Sequence, residues 1–189
     1  MPAAPKPTWL LVAYRAPREP STERVAVWRG LKRMGALYIA QSTCVLTAQL
    51  ADEKALHQIG DRLRGAGGAF DVMGIQAFDA DTEAHIRARF SADRDAEYRE
   101  LIERADAILA ELEHEGGRGK FTFAEVEENE SGLAKLHSWF ATVAHRDLFA
   151  AALRGEAERR LEEADRALAA FAERAASQDE NSAQANSTV

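Results

Sequence analysis

Residues 15–47 read RAPREPSTERVAVWRGLKRMGALYIAQSTCVLT, and their reading decides the fold. Pro17 and Pro20 exclude regular structure at the start of the stretch. Ser21 or Thr22 is a suitable helix cap, with Glu23 and Arg24 in the first turn. Val25, Val27, Trp28, Leu31 and Met34 recur at helical spacing and are expected to face the core, Trp28, Leu31 and Met34 above all. Arg24, Arg29, Lys32 and Arg33 occupy the other side, and Gly35 is placed to stop the helix. Ala36–Ala40 and Thr43–Thr47 follow as two short strands, with Gln41-Ser42 as a tight connection or as the bend in one long strand.

Working outward, Thr8–Tyr14 is a short apolar run rich in strand formers, expected to be buried on both faces. On the far side, Ala51 or Asp52 opens a second helix carrying Leu56, Ile59 and Leu63, which stops at the GAGG of residues 65–68. Phe70–Phe78 is a further strand. The order β-α-β-β-α-β over residues 8–79 predicts a ferredoxin-like head in an α+β protein.

Beyond Asp79 the pattern changes. Tyr98, Leu101, Ala105, Ile108 and Leu112 form a stripe with alternating steps of three and four residues. Similar stripes run through Leu133, Leu136, Phe140 and Val143, and from Leu153 to Ala175. With breaks at Gly116, Gly117 and Gly119, residues 81–176 are expected to form a three-helix extension, mostly antiparallel, as a bundle or a coiled coil. Residues 1–7, with three prolines, and the polar residues 177–189 are expected to be disordered.

Charge is unevenly placed. The chain has a formal net charge of −7. Its first 50 residues carry Lys6, Arg15, Arg18, Arg24, Arg29, Lys32 and Arg33 against only Glu19 and Glu23, a local +5 that leaves −12 for the rest. Such asymmetry points to an anionic partner for the N-terminal part; a solvated helix face is the plainer reading. No apolar run approaches the roughly 18 residues of a membrane span, and no signal peptide is visible. The single cysteine, Cys44, fits a reducing cytoplasm and reads as a small buried hydrophobe.

Catalytic patterns are weak. GAGG at 65–68 follows a helix and precedes a strand, the reverse of a dinucleotide fingerprint. GGRGK at 116–120 lacks the spacing and hydroxyl residue of a P-loop. The five histidines form no metal-binding pair, and the glutamates at 125, 127, 128 and 130 read more simply as a solvated face. The HRD at 145–147 lacks the rest of a kinase site. The head plan and the hairpin GALYIAQSTCV are similar to Cas2-type nucleases, but the metal-holding Asp at the end of their first strand is replaced by Tyr14 or Arg15. No enzyme activity, cofactor or metal is expected.

The runs WLLVAYRAPREP at 9–20 and RVAVWRGLKRMGALY at 24–38 resemble the N-terminal domain of the ChrB family of chromate-resistance regulators. RDAEYREL at 94–101, FTFAEVEENE at 121–130 and LAKLHSWF at 133–140 resemble the helical half of the same family. The resemblance implies a transcriptional regulator whose N-terminal domain precedes a separate chromate-resistance domain; this sequence ends in a polar tail where that domain is expected to begin, as a fragment or a stand-alone member would. It implies promoter DNA as partner, and the residues are compatible with that: Arg15, Arg18, Arg24, Arg29, Lys32 and Arg33 are available to neutralise several phosphates, while the pattern shows no helix-turn-helix. Arg29 and Arg33, four apart, are expected to share a helix face. The alternatives are an oligomerisation or protein-interaction module, in which the helical stripes pair between chains, and a metal- or oxyanion-binding protein.

Overall fold

The computed structural model describes residues 8–19, 21–119 and 121–187, with side chains described up to residue 179. The N-terminal 1–7 stretch expected to be disordered, together with Pro20 and Lys120, lies outside the described residues. The elements are β1 (Trp9–Arg15), α1 (Ser21–Arg33), β2 (Leu37–Ala40), β3 (Thr43–Thr47), α2 (Glu53–Gly65), β4 (Ala69–Ile75), α3 (Ala80–Gly117), α4 (Phe123–Arg146) and α5 (Arg154–Ser187). The order matches the pattern read from the sequence, as an α+β protein with a four-stranded sheet followed by long helices.

The strands form one antiparallel sheet in the order β2-β3-β1-β4, the ferredoxin-like arrangement. Successive residues alternate between its faces. On one face, Tyr38, Cys44, Val12 and Val72 fall in register across the four strands. Val12 and Cys44 join a core completed by Val27 and Leu31 of α1, Leu56 and Leu63 of α2, and Phe70. On the other face lie Leu37, Val45, Leu11 and Met73. At the end of that face the buried Trp9 packs against Phe78 and Phe90, each with ring centroids 5.8 Å away.

The contact with Phe90 explains where the first compact unit ends. The division falls between Phe90 and Ser91, later than the end of the head at Asp79 expected from the sequence. The opening turns of α3 belong to the head: Ile86 and Phe90 are buried, and Arg89 donates to the Tyr38 carbonyl at 2.7 Å. A strand-only count misses this, because the second apolar face of the sheet also needs a cover.

Local signals set the head's element ends. Gly35 follows α1 with φ 81°, and the N–H of Ala36 reaches back to the Leu31 carbonyl at 3.1 Å. Asp52 caps α2 by accepting from the Ala55 N–H at 3.0 Å. Gln41-Ser42 is the tight connection, and Ser42 takes φ 59°.

In the second unit, the rest of α3 packs with α4 and α5 around Tyr98, Leu101, Ala105, Leu133, Leu136, Val143, Leu161, Ala164 and Leu168. Glu97 meets Arg146 at 2.6 Å, and a Cβ on Gly132 would stand 3.7 Å from Ile108, so α3 and α4 run antiparallel. His137 meets Asp165 at 3.0 Å and Phe121 lies 5.0 Å from Phe171, so α4 and α5 also run antiparallel. Asp95 accepts from the Leu153 N–H and Asp106 pairs with Arg160, which makes α3 and α5 parallel. The predicted stripes are therefore buried within one chain. The polar stretch from 177 expected to be disordered instead continues α5 as far as Ser187. The residues from Ser177 to Ser187 contain no Gly or Pro to stop the helix, and the Ser177 hydroxyl donates back to the Glu173 carbonyl.

Candidate nucleic-acid interface

Three of the six basic residues named from the sequence converge. Arg15 closes β1, Arg18 lies in the loop after it, and Arg24 sits in the first turns of α1. All three are exposed and line one open groove of about 750 Å3. Its other walls include Tyr14, Val25, Trp28, Tyr38, Gln41 and Ser42. The Arg24 guanidinium donates to the Arg18 carbonyl at 3.2 Å, which pins the proline-bounded loop to α1. Among the described residues, Arg15, Arg18 and Arg24 form no ion pair with a carboxylate.

The floor is built by the sheet. The hydroxyls of Tyr14 and Tyr38 meet at 3.1 Å, with the rings edge to face at 83°. Burial pushes the Tyr38 hydroxyl above the ordinary tyrosine range, and the hydrogen bond to Tyr14 adds to the effect. Tyr38 therefore stays protonated at neutral pH as a hydrogen-bonding group. The Ser42 carbonyl accepts from the Tyr14 N–H at 2.9 Å, so the left-handed turn residue fixes the β2–β3 hairpin beside β1.

The other three basic residues are placed differently. Arg33 lines a separate groove between α1 and α2 with Gly30, Ile59 and Arg62, whereas Arg29 is exposed and lines neither groove. The shared face expected for Arg29 and Arg33 does not become a shared site. Lys32 is half-buried, and its charge partly offsets the burial that pushes the Cys44 thiol up to about 12. Cys44 is fully buried and free, as a small core residue.

Trp28 and Val25 correct the helix reading. Both were expected on the apolar side, yet Trp28 is 48% and Val25 43% exposed. Each residue advances about 100° around a helix. The buried arc is set by Val27 and Leu31, one turn apart, and Trp28 falls on the Arg24 side of it. The Tyr14–Tyr38 pair escaped sequence reading because the two residues are brought side by side only by sheet pairing. Among the described residues, no three of His, Cys, Asp and Glu come together as a metal site, and no helix is long and apolar enough to cross a membrane.

The sequence matches the family described as Protein ChrB, N-terminal, over residues 24–182. The chain belongs to this family. Protein ChrB of Cupriavidus metallidurans (strain ATCC 43123 / DSM 2839 / NBRC 102507 / CH34) is 31% identical over 102 residues, covering 54% of this chain. The matched part spans only 31% of the length of that curated relative. No solved structure matches. Membership of the ChrB family relates the chain to chromate-resistance regulators, and its match extends through both the α/β head and the helical unit.

Proposed function

We propose that this chain is the DNA-binding module of a chromate-responsive transcriptional regulator acting in the cytoplasm. The reading is carried by one observation: Arg15, Arg18 and Arg24, from a strand, a loop and a helix, line the same groove without carboxylate partners among the described residues. Guanidinium groups so gathered suit phosphate oxygens, which they bind through paired N–H donors. The acidic remainder of the chain opposes tight non-specific binding, so the contact is confined to this basic surface. A separate chromate-resistance domain protein is a further partner in this reading.

The test is fluorescence anisotropy with promoter DNA over a series of salt concentrations. Each phosphate contact contributes a slope of about −0.9 in log K against log salt. Replacing Arg15, Arg18 and Arg24 together by Ala is expected to flatten the slope by about 2 to 3 and to weaken binding at low salt. Absence of binding at low salt, or a triple variant with an unchanged slope, overturns the reading.

A further inference from the structure

We infer that the groove seats one unpaired base of the bound DNA against the Trp28 indole. The inference rests on the DNA-binding reading and names the kind of nucleotide that this surface takes.

Trp28 carries the argument. A tryptophan left 48% exposed is unusual on a helix whose Val27 and Leu31 are buried. It stands one turn beyond Arg24, on the same ridge, and it lines the groove with Arg15 and Arg18. An apolar plane beside three cations matches the two halves of a nucleotide, a flat base and an anionic phosphate. Stacking of a base on an aromatic side chain, with basic groups tracking the backbone, is the general mode by which single strands are held.

The other walls fit a base edge. Tyr14, Tyr38, Gln41 and Ser42, which carry hydrogen-bonding side chains, line the same space. A groove of about 750 Å3 lies within the range of pockets that hold small organic ligands. One face of the sheet carries α1 and α2, and Trp9, Ile86 and Phe90 close the other at its end. Trp28 stands apart from both, in the groove beside Arg15. In an intact duplex the base planes are covered by their neighbours, and a side chain reaches one only if the base is unstacked or turned out.

The experiment compares three labelled DNAs of the same promoter sequence: a single strand, a perfect duplex, and the duplex with one bulged base. Binding is followed by anisotropy and by tryptophan emission, for the intact chain and for Trp28→Ala and Trp28→Phe, with urea melts confirming that each variant folds. The expected result is tighter binding and quenched emission with the single strand and the bulged duplex. Trp28→Ala should lose about 5- to 150-fold on those two ligands, the range of one base-stacking contact. It should lose the quenching and lose less affinity for the perfect duplex than for the other two, while Trp28→Phe keeps most of the affinity. If Trp28→Ala leaves all three affinities unchanged, or lowers all three equally, the inference fails and the DNA-binding reading stands. Equal binding of all three DNAs by the intact chain, without quenching, has the same meaning. If none of them binds at low salt, both fail.

Discussion

Arg62 of α2 holds Glu23 of α1 through two parallel hydrogen bonds, Nε to Oε2 at 2.7 Å and Nη2 to Oε1 at 2.8 Å. Glu23 is one of only two acidic residues in the first 50. The pairing neutralises it and leaves its neighbour Arg24 to the groove. The Arg62 hydrogen bond holds the Glu23 carboxyl below its ordinary value of 4.5. A carboxylate with a depressed folded pKa contributes stability above its unfolded pKa, and the contribution is lost as pH falls through the folded value. Glu23→Gln should therefore lower the melting temperature slightly at neutral pH and make no difference in acid below the folded pKa. Thermal melts of both proteins across that range check this, and a pH-independent difference would remove the ion pair from the explanation.

The two basic sets make opposite demands on mutagenesis. Arg29→Ala with Arg33→Ala removes two cations that share no groove, whereas Arg15→Ala with Arg24→Ala removes two that do. The second pair should weaken promoter binding more than the first at the same ionic strength, although both remove two charges. Anisotropy titrations at low salt measure the difference.

Gly68 sits against the strand that carries the site. A Cβ at this position would stand 2.5 Å from the Arg15 carbonyl oxygen and 2.8 Å from Leu63 Cγ. Backbone cannot yield as a side-chain tip does, so Gly68→Ala should cost about 1–3 kcal/mol in urea unfolding. Gly65→Ala, with nothing within 4 Å at the end of α2, should be neutral or stabilising by up to about 1 kcal/mol.

Arg94 is 3% exposed, and among the described residues only its Nη2 finds a partner, Glu97 Oε1 at 2.7 Å. Its Nε and Nη1 have no hydrogen-bond partner, while Glu97 keeps a second cation, Arg146, at 2.6 Å. Arg94→Met removes the orphaned donors without stranding the carboxylate. Because Glu97 keeps Arg146, the unfolding free energy should fall by less than the about 3–5 kcal/mol lost when a buried pair is broken outright. A loss of that full size in urea melts would show that Arg146 does not compensate Glu97.

Burial and a raised pKa of about 12 make Cys44 a poor nucleophile in the folded chain. Labelling by a thiol reagent at mildly alkaline pH should be slow in buffer and fast in denaturant. Fast labelling without denaturant would place Cys44 in a part of the sheet that opens readily.

Periodicity was enough for the elements. Alternation and short apolar runs marked the four strands, and steps of three and four residues marked the long helices, because both patterns come from backbone geometry within a single element. Capping and stop residues such as Asp52 and Gly35 sharpened the ends. The end of the head was less legible: nothing in the local pattern of α3 shows that Ile86 and Phe90 serve the sheet rather than the helices. The site was legible only in part. Its charge was visible as a local excess, but the side of α1 that faces the core depends on the sheet and α2, which made Trp28 read as core.

By itself the sequence determined the βαββαβ order, the three long helices and the basic bias of the N-terminal third, since these follow from residue type and spacing along the chain. Tertiary structure alone decided that Arg15, Arg18 and Arg24 meet, that Arg29 and Arg33 part, and that Trp28 stays in reach of solvent. Sheet pairing puts Tyr14 beside Tyr38, the Arg62–Glu23 pair ties α1 to α2, and the Arg24–Arg18 bond ties the loop to α1. Those contacts join residues distant in sequence, and no local pattern encodes them.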